Sequence, residues 1–199
     1  VSGGDPCPII FKSIDQIGVA PVSESFEAAT EEALVALLRD PAEWVSRMNA
    51  ANSARTSMIQ GVVESAPTTP DNKTQEFGYG DIIDVSETAA TQLFKLNPEV
   101  HTPNSARELR KFNAGAKKAV YEFSKNGNLI KGKMVHDGTN FVFTPFPTSR
   151  FTVLQPDQAD GNNTVEVTRI TYQYKNVTDY VDNAYIVELG FDIESVLKG

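Results

Sequence analysis

Alternation of apolar and polar residues with a period of two runs through the second half of the chain and predicts strands. Over 75–85, the odd positions carry Phe77, Tyr79, Ile83 and Val85, and the even ones carry Glu76, Gly78, Gly80 and Asp84, with Ile82 the exception. That pattern predicts one long half-buried strand, with 88–96 as its partner. Ala119, Tyr121 and Phe123 alternate up to Asn126-Gly127, and an apolar run returns over 128–135. Asn-Gly between two such runs predicts a hairpin pairing 117–124 with 128–135. Asp137-Gly138 makes a second turn into Phe141-Val142-Phe143, which completes a meander. Segments 150–155 and 164–175 form another pair around a loop at 156–163. The apolar face of the second arm switches near Thr168-Arg169, which predicts a β-bulge there or a strand shared between two sheets. Segment 184–189 adds a last strand before an acidic tail.

Helical signals interrupt this pattern in three places. Thr30 caps a run with Glu31 and Glu32 in its first turn, where the helix dipole favours acids. Asp40-Pro41-Ala42-Glu43 combines an N-cap acid, Pro at the first position and Glu at the third, and Trp44, Val45 and Met48 then supply an apolar stripe. Pro103, Ser105 and Glu108 open a third helix over 102–113 that turns Leu109 and Phe112 inward. Segment 65–72, with Pro67 and Pro70, reads as an exposed loop. The fold class is therefore mainly β (α+β): an antiparallel β-sandwich or barrel with two to four helices. One domain covers 1–199, with a helical segment at 25–52 and a β-rich core at 57–190 that holds the helix near 102–113.

Charge and chemistry narrow the function. The 199 residues are 40% hydrophobic, enough for a substantial core, and carry a formal net charge of −8. Broad coating of nucleic acid needs concentrated positive charge and is disfavoured. No apolar run is long enough to cross a bilayer as a helix, so no membrane partner is expected. The opening Val1-Ser2-Gly3-Gly4-Asp5 lacks the basic-then-apolar layout of a secretory signal. Cys7 is the one cysteine and reads as an incidental thiol, with no internal disulfide open to it. His101 and His136 do not form a metal-spaced pair, and no nucleophile elbow, phosphate loop or zinc-protease motif occurs. His136-Asp137 reads as part of a turn. Asp157, Asp160, Asn162 and Asn163 could gather around calcium, but their spacing does not match an EF-hand, and Asx-rich turns explain them. Asn72, Asn162 and Asn176 head Asn-x-Thr sequons that carry little weight without a signal peptide. No catalytic, cofactor-binding or metal residue is assigned, no cofactor is expected, and the chain reads as a non-enzyme.

The charge is also unevenly placed. Between residues 107 and 133 there are eight Lys or Arg and two acids, and the rest of the chain holds ten bases against 24 acids. Lys117, Lys118, Lys131 and Lys133 lie on or beside the predicted hairpin and form a candidate basic patch between subunits. Tyr121 and Phe123 share a face with Ala119, which makes them core residues rather than a platform for stacking bases.

An acidic β-meander with few helices and no active-site motif resembles a virion building block, in particular the tail tube proteins of tailed bacteriophages and related contractile injection systems. The resemblance rests on the strand pair over 75–96, the meander over 117–146 and the helix at 102–113 between them. It implies two packed sheets with a flanking helix, and a subunit that forms stacked, hexameric rings with copies of itself. The ring would surround a channel through which DNA passes, among other virion proteins, in particles assembled in the host cytoplasm. Glu76 and Asp84, on the polar face of the predicted long strand, are candidates for the channel wall. The helical stretch over 30–50 departs from the simplest tube pattern, so a tail terminator, connector or capsid-associated protein stays open. So do two other classes: a carbohydrate- or ligand-binding β module, and an enzyme with a dispersed site.

Overall fold

The computed structural model describes residues 14–51, 53–68, 72–77, 81–87, 91–96, 107–113, 117–124, 127–154, 168–176, 179–180 and 182–197. Every strand pair in them is antiparallel. The strands are β1 (Gln16–Pro21), β2 (Phe26–Ala28), β3 (Ser57–Ile59), β4 (Val62–Thr68), β5 (Asn72–Phe77), β6 (Asp81–Glu87), β7 (Thr91–Leu96), β8 (Lys118–Ser124), β9 (Leu129–His136), β10 (Phe141–Thr144), β11 (Phe146–Leu154), β12 (Arg169–Tyr174) and β13 (Ala184–Glu188). The helices are α1 (Glu31–Leu38), α2 (Pro41–Met48) and α3 (Ile193–Leu197).

Strand β8 is buried almost throughout, because both of its faces are covered. Val120 faces a core shared with Ile17 and Val19 of β1, Phe94 and Leu96 of β7, and Ile170, Tyr172 and Tyr174 of β12. Tyr121 and Phe123, one position out of phase, face a second core with Leu34 and Leu38 of α1, Trp44 of α2, Phe143 of β10 and Ile193 of α3. The result is three layers. Sheet β11-β12-β7-β4 packs on a sheet built from β3, β1, β8, β9, β10 and β2, with β13 also paired to β9, and the helices cover the far side. This is the mainly β sandwich expected, with a helical layer added.

The two sheets are joined by β11. Its start pairs with β8 (Phe146↔Val120, Pro147↔Ala119), and its remainder pairs with β12. The register shifts between Thr148 and Arg150, which leaves Ser149 as the extra residue of a bulge. Such a bulge bends a strand and lets it pass from one sheet to the other. Strand β11 is thus shared between the two sheets; the face switch expected near Thr168-Arg169 involves 164–167, which lie outside the described residues.

The helix signals work as read. Thr30 Oγ1 accepts the Ala33 N–H at 3.2 Å, and Asp40 Oδ1 accepts the Ala42 N–H at 2.9 Å. Trp44 is fully buried and donates through Nε1 to the Leu38 carbonyl at 2.8 Å. Met48, one turn on, packs against the same core, but Val45 points to solvent, so the expected stripe is narrower by one residue. Arg47 fixes α2 to β2: its guanidinium lies 3.7 Å from the Phe26 ring centroid and donates to the Ser25 carbonyl at 3.1 Å. Of the third predicted helix, the described part is helical over 107–109 and closes in a 3-10 turn, Arg110–Asn113. Leu109 and Phe112 pack inward as expected.

Four expectations are corrected. The single strand over 75–85 is two strands, β5 and β6, paired with each other (Phe77↔Asp81, Gln75↔Ile83); 78–80 lie outside the described residues. The expected partner, β7, pairs with β4 and β12. Segment 65–68, read as loop, belongs to β4; Pro67 pairs opposite Gln92 there because β4 ends the order of its sheet, and an edge strand tolerates a residue that cannot donate. The core also begins earlier than residue 57: β1 lies between β8 and β3, and β2 falls inside the stretch read as helical. The acidic tail forms α3, whose Ile193 is fully buried.

Candidate assembly interface

The meander is the best-formed part of the reading. Pairs Ser124↔Leu129, Phe123↔Ile130 and Glu122↔Lys131 centre the β8–β9 register between residues 126 and 127. Gly127 supplies the positive φ of 84° at that connection, and Asn126 itself lies outside the described residues. At the next turn, Gly138 has φ 101°, and Asp137 Oδ1 accepts the N–H groups of Thr139 and Asn140, both at 2.8 Å. Those donors, Asn140 first, hold the Asp137 carboxyl below the usual range. His136 Nδ1 accepts the Gly138 N–H at 3.2 Å and its ring meets Phe141 edge-on. His136-Asp137 therefore builds a turn. No group of three or more metal-ligating side chains occurs among the described residues. His101, Cys7, Asp157, Asp160, Asn162 and Asn163 lie outside them.

The four lysines of the candidate patch fall into two pairs. Lys131 and Lys133 are half-buried and engaged within the chain. The Lys131 ammonium sits 3.9 Å from the Tyr180 ring centroid and Lys133 Nζ lies 2.9 Å from Asp179 Oδ1. Lys117 and Lys118 are elsewhere, at the start of β8, where a cleft of about 210 Å³ opens between that strand, the 3-10 turn and the β11 bulge. Phe112 and Phe151 form its apolar side, in edge-to-face contact at 6.2 Å. The Lys118 ammonium stands 5.9 Å from the Phe112 ring centroid, and Lys117 is exposed.

The neutral polar groups around this cleft are already paired. Asn113 clasps the Val153 backbone in both directions, accepting its N–H at 2.6 Å and donating to its carbonyl at 2.9 Å. Thr148 Oγ1 donates to the Lys118 carbonyl at 2.7 Å, and Ser149 Oγ lies 3.1 Å from Gln173 Oε1. Among the described residues, the unmet hydrogen-bonding capacity of the cleft is therefore that of its two ammonium groups.

Glu122 was not singled out by sequence reasoning, although the Asn126-Gly127 turn already places it opposite Lys131. It is fully buried between the sheets and accepts hydrogen bonds at Oε1 from Tyr172 OH at 2.7 Å and from Tyr174 OH. Tyr174 stacks on Tyr180, whose ring receives Lys131. Burial raises the Glu122 pKa; Lys131 and the two tyrosine hydroxyls pull the other way without cancelling it. The arrangement ties β8, β9 and β12 together through one carboxyl.

Hairpin β5–β6 differs from all of this. Among the described residues its strands hydrogen-bond only to each other, as a separate two-stranded sheet. The register pairs Glu76 with Ile82 and Asp84 with Thr74, which places both acids at positions on one face of the ladder. The strands carry four acids, Glu76, Asp81, Asp84 and Glu87, against one base, Lys73.

No family model matches the chain, and no curated protein does. A solved structure is similar. It is a chain of the anti-feeding prophage baseplate, from a cryo-EM structure with six-fold symmetry imposed, at 9% sequence identity and a TM-score of 0.30. The match covers 94% of this chain and 100% of that one. A superposition this loose fixes neither a shared fold nor a shared role.

Proposed function

We propose that the chain is a structural virion protein that assembles with copies of itself, as a tail tube-type subunit in stacked rings around a DNA channel. The observation that carries the reading is hairpin β5–β6. A two-stranded ribbon is marginal in water without a third strand or a packing surface. This one pairs with no other described strand, so a neighbouring subunit is its natural support. The sandwich adds open strand edges at β4, β3 and β2, which end their sheets; open edges need either protection or a partner. A ring closes such contacts by repeating one heterologous interface.

In this proposal Glu76 and Asp84, expected to line the channel from a long strand, lie on the hairpin and meet a neighbour instead. The same contacts would serve a terminator or connector, which also form rings. Negative-stain electron microscopy of the purified chain tests the reading. Annular particles with a central opening, or stacks of them, are expected. Featureless particles of monomer size at every concentration would overturn it.

A further inference from the structure

We infer that the Lys117–Lys118 cleft receives the acidic β5–β6 hairpin of a second copy, and that this is the contact between neighbours within one ring. The inference rests on the ring proposal and specifies its interface. The first argument is chemical. The protein groups that satisfy Asn113, Thr148 and Ser149 leave two cationic donors at the cleft without a carboxylate among the described residues. An ammonium pair with that much unmet capacity selects an anionic acceptor over a neutral one. In a chain of net charge −8, carboxylates are the abundant anions, and the hairpin concentrates four of them. Phe112 and Phe151 stand at one side of the cleft, and a partner seated there displaces water from around the two ammonium groups, which strengthens the ion pairs.

The second argument is positional. The hairpin leaves the sandwich from the end of β4 and β7 where Thr68 pairs with Thr91. Following the ladder across, Thr91 pairs with Gln173, Gln173 with Arg150, and Tyr174 with Thr148. Thr148 and Ser149 line the cleft, so hairpin root and cleft share one end of the sheet, about 10–15 Å apart at normal strand spacing. Each arm of six or seven residues is about 20 Å long and carries Glu76, Asp81 and Asp84 away from that root. Rotation about a ring axis moves a subunit sideways without raising or lowering it. With the strands running along the ring axis, two features at the same end are level with each other in adjacent subunits, as a lateral contact requires. A head-to-tail contact between stacked rings would need them at opposite ends.

The test uses two charge reversals in the full chain, Lys117→Glu with Lys118→Glu, and Glu76→Lys with Asp84→Lys, read by sedimentation velocity at low salt. Each double variant alone is expected to lose the ring species, with self-association weakened about tenfold or more, because like charges then face each other. Mixing the two variants is expected to restore rings, since every hairpin then finds a cleft of opposite sign in its partner. Restoration also shows that both variants fold. If the wild type forms rings and the Lys117/Lys118 variant forms them equally well, the inference fails and the ring proposal stands. If the wild type forms no rings, the ring proposal itself fails. Loss in both variants without rescue on mixing overturns the contact between copies, and circular dichroism of each variant shows whether misfolding is the cause.

Discussion

Two tyrosine-to-phenylalanine changes, each removing a single hydroxyl from a buried ring, should move stability in opposite directions. Tyr174 OH donates to Glu122 Oε1, a carboxyl that is fully buried. A hydrogen bond to a charged group contributes about 1.5–3 kcal/mol, and Tyr174→Phe removes one of the two tyrosine donors to Glu122. A loss of that size is expected at a pH high enough to ionise Glu122 in the folded chain. Tyr121 is equally buried, but its hydroxyl has no hydrogen-bond partner among the described residues. Tyr121→Phe removes a polar group that was desolvated without compensation, so it should be neutral or stabilise by about 1 kcal/mol. The ring contacts with Trp44 and Phe143 remain.

The Tyr174 effect should also depend on pH. Burial raises the Glu122 pKa, so the native state keeps its proton over a pH range in which the unfolded chain has lost it. Stability from this group is complete below the ordinary glutamate range and falls as pH rises through the raised value. Below the raised value Tyr174 faces a neutral carboxyl, and the bond contributes about 0.5–1.5 kcal/mol. Urea unfolding over a pH series that runs upward from the ordinary glutamate range measures all of this. Equal costs for Tyr174→Phe and Tyr121→Phe would refute the reasoning. So would a Glu122→Gln variant whose pH profile is no flatter than that of the parent.

Three further changes probe the layers. An alanine at Gly132 would place its Cβ 2.5 Å from Phe143 Cζ and 2.8 Å from the Thr144 carbonyl oxygen, so Gly132→Ala should cost about 1–3 kcal/mol by overpacking, read as a lowered urea midpoint with an unchanged slope. Trp44→Ala should cost about 3–5 kcal/mol, because the indole fills the space between Phe26, Tyr121 and Phe123; a thermal melt unchanged within error would show that the helical layer is not part of the cooperative fold. Asp40→Ala should cost about 1 kcal/mol through the lost cap on the Ala42 N–H, with Asp40→Asn recovering most of it in the same melt.

How much of this was legible depended on whether a segment had one buried face or two. The β8–β9–β10 meander was readable because Asn126-Gly127 and Asp137-Gly138 are strong local turn signals. The two helix starts were readable because Thr30 and Asp40 act on N–H groups two or three residues away. Strand β1 was not, since Ile17 and Val19 face one core and Ala20 the other, and a strand covered on both sides shows no alternation. Pro67 disguised β4, because proline marks a loop unless the strand is known to lie at an edge. In 75–85 the alternation continues through Gly78 and Gly80, so period alone joined two arms that the fold pairs. Glu122 looked like the polar side of a half-exposed strand, and only the second sheet, with Tyr172 and Tyr174, makes it a buried node. The division of the lysines was invisible for a similar reason. Tyr180 and Asp179 engage Lys131 and Lys133 from more than 40 residues away in sequence.

The central claim is self-assembly into a closed ring, and native mass spectrometry of the full chain across a wide concentration range tests it most directly. The account predicts one discrete oligomer whose stoichiometry stays fixed as concentration rises, with integer multiples where rings stack. A monomer persisting at the highest concentration, or a ladder of open-ended sizes with no preferred number, would contradict it.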